Sequence, residues 1–310
     1  MDMLTPLLAA SVAAATPLML AGIGELLAER AGVLNIGIEG MMLTGCIAGF
    51  SVAVITGSPW LGLLAAIGAA MLVGSVFAFL AINARTDQIV AGMAINLLAV
   101  GLSGTIWRIL QNRGLTELPE NAGFLRGWTG VDMLTTMPLF GPLLFNHYGL
   151  TAVTLLAAAI VWWILRRTRL GIVVTALGEA PDAVAAAGES VRRWRWFLVL
   201  VAAACAGAAG AYLSIMRTHA FVPLMTGGSG FVVLALVMFG RWRVWWMVSG
   251  CLLFGCADSL QQSLQSLPQA RQIPYQVFHM LPYLVALTAL ALLSRSAPGP
   301  AALGRPWPVE

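Results

Sequence analysis

Leu177-Gly178-Glu179-Ala180-Pro181-Asp182-Ala183-Val184-Ala185-Ala186-Ala187-Gly188 lies between Arg166-Arg167-Thr168-Arg169 and Arg192-Arg193-Trp194-Arg195, with apolar runs beyond each arginine group. Pro181 suits a first helical position and Gly188 a C-terminal stop, with alanines filling the interval. Such a helix has about two turns, far short of the ~20 apolar residues that cross a bilayer. It is also too apolar for a solvated loop, and the flanking arginines hold it at one membrane face. A helix with so little side-chain bulk suits docking into a groove on another chain. The pattern predicts an all-α polytopic membrane protein carrying a short cytoplasmic helix within the loop 166–195.

Composition agrees. The 310 residues are 59% hydrophobic and 10% charged, with mean hydropathy +0.86; soluble domains carry about 25% charged residues. All seventeen basic residues are arginine. Without lysine the chain can form neither a phosphate-binding P-loop nor a pyridoxal Schiff base, so any ATP is hydrolysed on another chain. The arginines sit at the ends of apolar runs, a membrane-orienting pattern that argues against a nucleic-acid partner. Cys46, Cys205, Cys251 and Cys256 fall inside apolar runs without metal-binding spacing and read as small hydrophobes. His147, His219 and His279 are scattered, with no acidic partner a helical turn away. Neither a bound metal nor a catalytic centre is expected. Met1-Asp2-Met3-Leu4 lacks the basic start of a cleavable signal peptide.

Candidate spans are 6–27, 38–56, 60–82, 89–110, 149–165, 196–214, 221–240, 244–265 and 275–294, about nine (8–10) with some discontinuous. Placing Arg85, 166–195, Arg241, Arg243 and Arg295 inside is self-consistent with alternation and puts the N-terminus outside. The 111–148 loop then lies outside, where Glu117, Glu120 and Asp132 balance Arg108, Arg113 and Arg126. Gly45-x-x-x-Gly49 and the run Ala203–Gly210 predict closely packed helices. The membrane domain is expected over 1–296, and the proline-bearing 297–310 as a disordered cytoplasmic tail.

Three places break the apolar pattern. The first runs from Gly24 to Met42, with Glu25, Glu29, Arg30, Asn35 and Glu39 among four glycines. It reads either as an ordinary turn or as a discontinuous segment whose Asn35 and Glu39 line a pathway, since irregular backbone at depth survives only in such places. The second is Thr86 to Asn96: Asp87 suits a helix cap, while Gln88 and Asn96, two turns apart, share a face. Their amides could join helices or touch a solute. The third is Phe221-Val222-Pro223-Leu224-Met225-Thr226-Gly227-Gly228-Ser229-Gly230-Phe231, a broken start to the seventh span.

At these residues the chain resembles the membrane permease subunits of bacterial ABC importers for ribose, branched-chain amino acids and purine nucleosides. It is most similar to the shorter permease of nucleoside-type systems. The resemblance rests on Glu29-Arg30-Ala31-Gly32-Val33-Leu34-Asn35-Ile36-Gly37-Ile38-Glu39-Gly40-Met41-Met42 and on Asp87-Gln88-Ile89-Val90-Ala91-Gly92-Met93-Ala94-Ile95-Asn96. It continues through Leu177–Pro181 with Ala185–Gly188, Val237–Trp242, Leu253–Asp258, Ile273–Gln276 and Met280–Tyr283. Glu189, Thr175 and Arg243-Val244-Trp245-Trp246 depart from the family pattern.

The resemblance implies an inner-membrane subunit that translocates a nucleoside or similar small polar solute and binds no cofactor, ATP and Mg being held by a separate ABC ATPase. It also implies a second permease, a periplasmic or lipid-anchored binding protein, and contact with membrane lipid. Gly178, Glu179, Pro181, Asp182, Ala183, Ala185, Ala186 and Gly188 would couple to the ATPase. Asn35, Glu39, Gln88, Asn96, Phe221, Met225 and Phe231 would line the pathway. A permease of the same build for a simple sugar, or a stand-alone secondary transporter, are the alternatives.

Overall fold

A computed structural model of the chain describes residues 4–118, 149–265, 275–293 and 299–307. Several expectations therefore lie partly outside the described residues: the outer loop beyond 118, with Glu120, Arg126 and Asp132, the pair Ile273-Pro274, the end of the last span at 294 with Arg295, and the tail positions 297, 298 and 308–310. The helices are α1 (Leu4–Arg30), α2 (Ile38–Thr56), α3 (Pro59–Ala78, extended by a wider π turn Phe79–Asn83), α4 (Gln88–Asn112) and α5 (Gly149–Arg167). They continue as α6 (Arg169–Glu179), α7 (Pro181–Ala186), α8 (Val191–Ala211, with a π turn Tyr212–Arg217), α9 (Ser229–Phe239), α10 (Val244–Gln265) and α11 (Tyr275–Leu293). Among the described residues no strand forms; a single bridge pairs Glu117 with Ala220.

Local chemistry sets many of the boundaries. Asp87 accepts from the backbone N–H groups of Ile89 (2.7 Å) and Val90 (3.2 Å), capping α4 as the sequence suggests. Thr168 and Ser190 cap α6 and α8 in the same way, and Pro59 and Pro181 occupy first turns. Gly57 closes α2 at φ 68°, a left-handed conformation glycine adopts freely.

Among the described residues, six helices are long and apolar enough to cross a membrane: α1, α2, α3, α4, α5 and α8. The protein is thus an all-helical, multi-pass membrane protein. The expected seventh span, 221–240, is not one helix. Only Ser229–Phe239 is helical, eleven residues, or about 16 Å at 1.5 Å per residue, roughly half the ~30 Å hydrocarbon core.

The centre of the bundle is α1 with α2 and α8, and small residues decide how close they come. A Cβ on Gly45 of α2 would stand 2.6 Å from the Gly207 carbonyl of α8, so only glycine permits this crossing. Ser214 adds a buried hydrogen bond to the Cys46 carbonyl at 2.9 Å. By contrast α3, α4 and α5 are mostly unburied within the chain; Leu72, Val90, Leu97 and Leu156 lie on their open faces. The four cysteines are unbridged, Cys46 and Cys251 being fully buried, as expected of small hydrophobes.

The arginine-bearing helix ends meet at one end of the bundle. Arg30 donates to the Trp242 carbonyl at 2.8 Å, Arg195 to the Ala31 carbonyl at 3.0 Å, and Trp196 to Asn83 at 2.7 Å. Residues 299–307 correct the expected tail. They are not a loose extension but form turns on this same end, with Ala302 buried. The prolines and small residues that look unstructured in sequence let the backbone lie close against neighbouring helix ends.

Candidate functional site

Two interruptions of helix meet inside the bundle. In the first, residues 31–37 leave α1 at Arg30 and fold back beside it, so that Asn35 stands opposite Glu25. Unwound backbone at membrane depth costs several kcal/mol per unpaired group, so its polar atoms need partners. Three buried side chains supply them. Glu25 of α1 accepts from the Asn35 backbone N–H (3.2 Å) and side-chain amide (3.3 Å). Gln88, at the start of α4, accepts from the Leu34 N–H at 2.8 Å. Asn96, two turns on, accepts from the Gly40 N–H at 2.8 Å and donates to the Ile36 carbonyl at 3.0 Å. The shared face read from the spacing of Gln88 and Asn96 is real: both reach one unwound segment.

The second interruption, 221–228, precedes α9. Its turns use left-handed backbone at Leu224 (φ 59°), Gly227 (φ 55°) and Gly228 (φ 84°). One side chain makes most of its ties, and Tyr283 Oη adds a bond to the Gly227 carbonyl at 3.4 Å. The Glu39 carboxylate accepts from Thr226 Oγ1 at 2.6 Å, from the Gly228 N–H at 2.9 Å and from the Gly230 N–H at 2.6 Å. The last two are free N–H groups of the α9 N-terminus, where negative charge is also favoured by the helix dipole. A Cβ on Gly230 would lie 2.6 Å from the Glu39 Cα, so glycine is required for the approach. Because Glu39 and Gly40 are adjacent, the first turn of α2 is the junction of both interruptions.

The other expected residues distribute unevenly. Phe221 is buried in an aromatic group, its ring centroid 5.4 Å from Trp107 and 6.5 Å from Phe50. Met225 is partly buried against the core and Phe231 is 43% exposed. So Asn35, Gln88 and Asn96 come together at the first interruption and Glu39 at the second. Phe221 opens the second interruption, with its ring in the aromatic group of Phe50 and Trp107. Among the described residues no group of three or more His, Cys, Asp or Glu side chains is placed to hold a metal ion.

At the arginine end, α6 and α7 form an angled pair. Val184 points inward against Leu177, Val191 and Leu198, whereas Asp182, Ala183, Ala186, Ala187 and Gly188 are exposed. Ala185 and Pro181 are half-buried, Glu179 is exposed, and Gly178 is buried against the Arg30 carbonyl and Pro300. The short smooth helix expected from sequence is therefore present, with its small side chains facing outward.

Several participants were not among the expected site residues. Thr226 shares the Glu39 carboxylate, and Trp242 donates to Glu29 at 2.6 Å while its turn uses φ 54°. Trp307 donates to Asp182 at 2.8 Å. Each depends on a contact between distant segments. The signals available in sequence were the Glu25–Glu29 helical spacing and a tryptophan beside prolines.

Comparison with known proteins fits this architecture. The family described as branched-chain amino acid transport system / permease component matches residues 7–290. The putative glucose ABC transporter permease protein TsgC13 of Haloferax volcanii is 40% identical over 85% of this chain and 79% of its own length. The guanosine ABC transporter permease protein NupQ of Bacillus subtilis is 32% identical over 99% of this chain and 97% of its own. The nucleoside ABC transporter permease protein NupC of Lactococcus lactis is 32% identical over 93% and 92%. No solved structure matches the chain.

Proposed function

The chain belongs to the branched-chain amino acid transport system / permease component family, and from that premise we propose that it is the membrane subunit of an ATP-driven importer for a nucleoside. The observation that carries the reading is α7. Its exposed Ala183, Ala186, Ala187 and Gly188 make a smooth knob at the arginine end, flanked by the exposed carboxylates of Glu179 and Asp182. The knob docks in a separate ABC ATPase, which holds ATP and Mg; this chain performs no catalysis. ATPase closure moves α6–α7 as a lever and shifts the bundle between outward- and inward-facing populations.

The proposed topology has nine crossings, with 221–239 completing one through its break. The start of α1 faces outside; 166–195 and 299–307 face the cytoplasm. One coupling helix and no nucleotide site make half of a pore, so a second, different permease completes it. A periplasmic or lipid-anchored binding protein delivers the solute. The solute passes beside the junction of the two interruptions, with Glu39, Met225 and Phe231 toward the path, Asn35, Gln88 and Asn96 forming the frame behind them, and Phe221 packed on Phe50 and Trp107 at the start of the second interruption.

The 40% identity to a glucose permease favours a second reading, a simple sugar. Both solutes present a hydroxylated ring. Retention of radiolabelled guanosine rather than glucose by the cognate binding protein selects the nucleoside. Coupling is tested in the reconstituted complex with Ala186→Trp, which enlarges an exposed position. ATP hydrolysis is expected to continue while transport is lost; normal coupled transport would contradict the reading.

A further inference from the structure

Residues 299–307 bond to α6, α7, α8 and the unwound segment 31–37 at the arginine end. The Ala302 N–H donates to the Gly178 carbonyl at 2.8 Å, where α6 ends. The Gly304 N–H donates to the Gly32 carbonyl at 3.1 Å, the first turn of the unwound segment 31–37. Arg195 of α8 spans both, its Nε on the Ala31 carbonyl at 3.0 Å and its Nη1 on the Arg305 carbonyl at 3.1 Å. Trp307 lies against the apolar group formed by Leu27, Leu177, Val184 and Leu198, and its indole N–H reaches Asp182 of α7 at 2.8 Å. The fit is close: a Cβ on Gly299 would stand 2.7 Å from the Trp242 ring, and one on Gly178 would meet Pro300.

A segment held only by burial would serve as a plug. This one is held by directional bonds to α6, α7, α8 and the 31–37 segment. Gly32 lies in the unwound segment and Gly178 in α6, and the strap bonds to both carbonyls within three residues of itself. Displacement of α7 is thus passed to the unwound segment without crossing the apolar interior.

We propose that residues 299–307 are a strap that positions α7 and transmits its movement to the 31–37 interruption, with Ala302 and Trp307 as the positioning residues. This rests on the assignment of α7 as the ATPase-docking helix. Power transmission then depends on two cytoplasmic attachments, the ATPase groove on one side of α7 and the strap on the other.

The test uses the full complex in proteoliposomes and measures ATP hydrolysed per solute transported. Ala302→Pro removes the N–H donor to Gly178, while Ala302→Gly keeps it. Trp307→Phe keeps the ring in place of the indole but loses the bond to Asp182. Ala302→Pro is expected to raise ATP consumed per solute about tenfold, within the usual span of coupling between sites. Ala302→Gly should stay near wild type, and Trp307→Phe should fall between them. The ATPase should co-purify with all three. If Ala302→Pro fails to assemble, Trp307→Phe decides alone, and an unchanged ratio overturns the strap. Equal ratios for Ala302→Pro and Ala302→Gly also overturn it. Ala186→Trp separates the two levels: if it uncouples while the strap variants do not, the strap fails and the docking assignment stands. If Ala186→Trp has no effect, the docking assignment fails.

Discussion

The two interrupted segments solve one problem in opposite ways. Residues 31–37 are held by Glu25, Gln88 and Asn96, side chains from two helices that pair several backbone groups. Residues 221–228 and the start of α9 hang mainly on one carboxylate, Glu39, whose bonds go to Thr226, Gly228 and Gly230, with one longer bond from Tyr283 Oη to the Gly227 carbonyl at 3.4 Å. A segment with independent ties can lose one and keep its shape. A segment held mainly by one residue changes shape when that residue is lost, and its glycines leave the backbone free to do so. The first interruption is therefore frame and the second is hinge. The strap attaches to the frame at Gly32, so movement entering there reaches the hinge through Glu39.

Breaking the main tie should have the largest effect. Glu39→Ala leaves two backbone N–H groups and a hydroxyl without their acceptor, and we expect a loss of about 3 kcal/mol in unfolding free energy together with loss of transport. Thermal unfolding in detergent and uptake by the reconstituted complex measure the two. Gly230→Ala pushes a methyl into the Glu39 backbone and should cost about 2 kcal/mol, with transport impaired in the folded fraction. Asn96→Ala removes two bonds of the frame; a cost of about 2 kcal/mol is expected, but with Glu25 and Gln88 still in place the folded protein should transport at near wild-type rate. Gln88→Leu removes one bond and should cost about 1 kcal/mol, again without uncoupling. Equal loss of transport in Asn96→Ala and Glu39→Ala, at matched amounts of folded protein, would erase the distinction between frame and hinge.

Sequence reading located both interruptions because glycine and polar residues are conspicuous within apolar runs. It also found α7, since Pro181, the alanines and Gly188 are local signals, and the Asp87 cap for the same reason. It did not reveal that Glu39 reaches a loop 187 residues away, because nothing local in either segment encodes their meeting. The glycines beside Phe221 do not announce that its ring packs against Phe50 and Trp107. Pro298, Pro300, Pro306 and Pro308 argue only against helix and strand, so the sequence predicts a loose tail where the strap lies. Two of its bonds run from backbone N–H groups to distant carbonyls, which side-chain identity does not announce.

The most direct test compares thiol reactivity at the two interruptions in the working transporter. With Cys46, Cys205, Cys251 and Cys256 replaced by alanine, single cysteines are placed at Leu34 in the frame and at Met225 in the hinge. Each is exposed to a water-soluble maleimide in the reconstituted complex, without nucleotide and with ATP trapped on the ATPase. The account predicts that the labelling rate at 225 changes about tenfold between the two states while that at 34 stays constant. A constant rate at 225, or an equal change at 34, would contradict it.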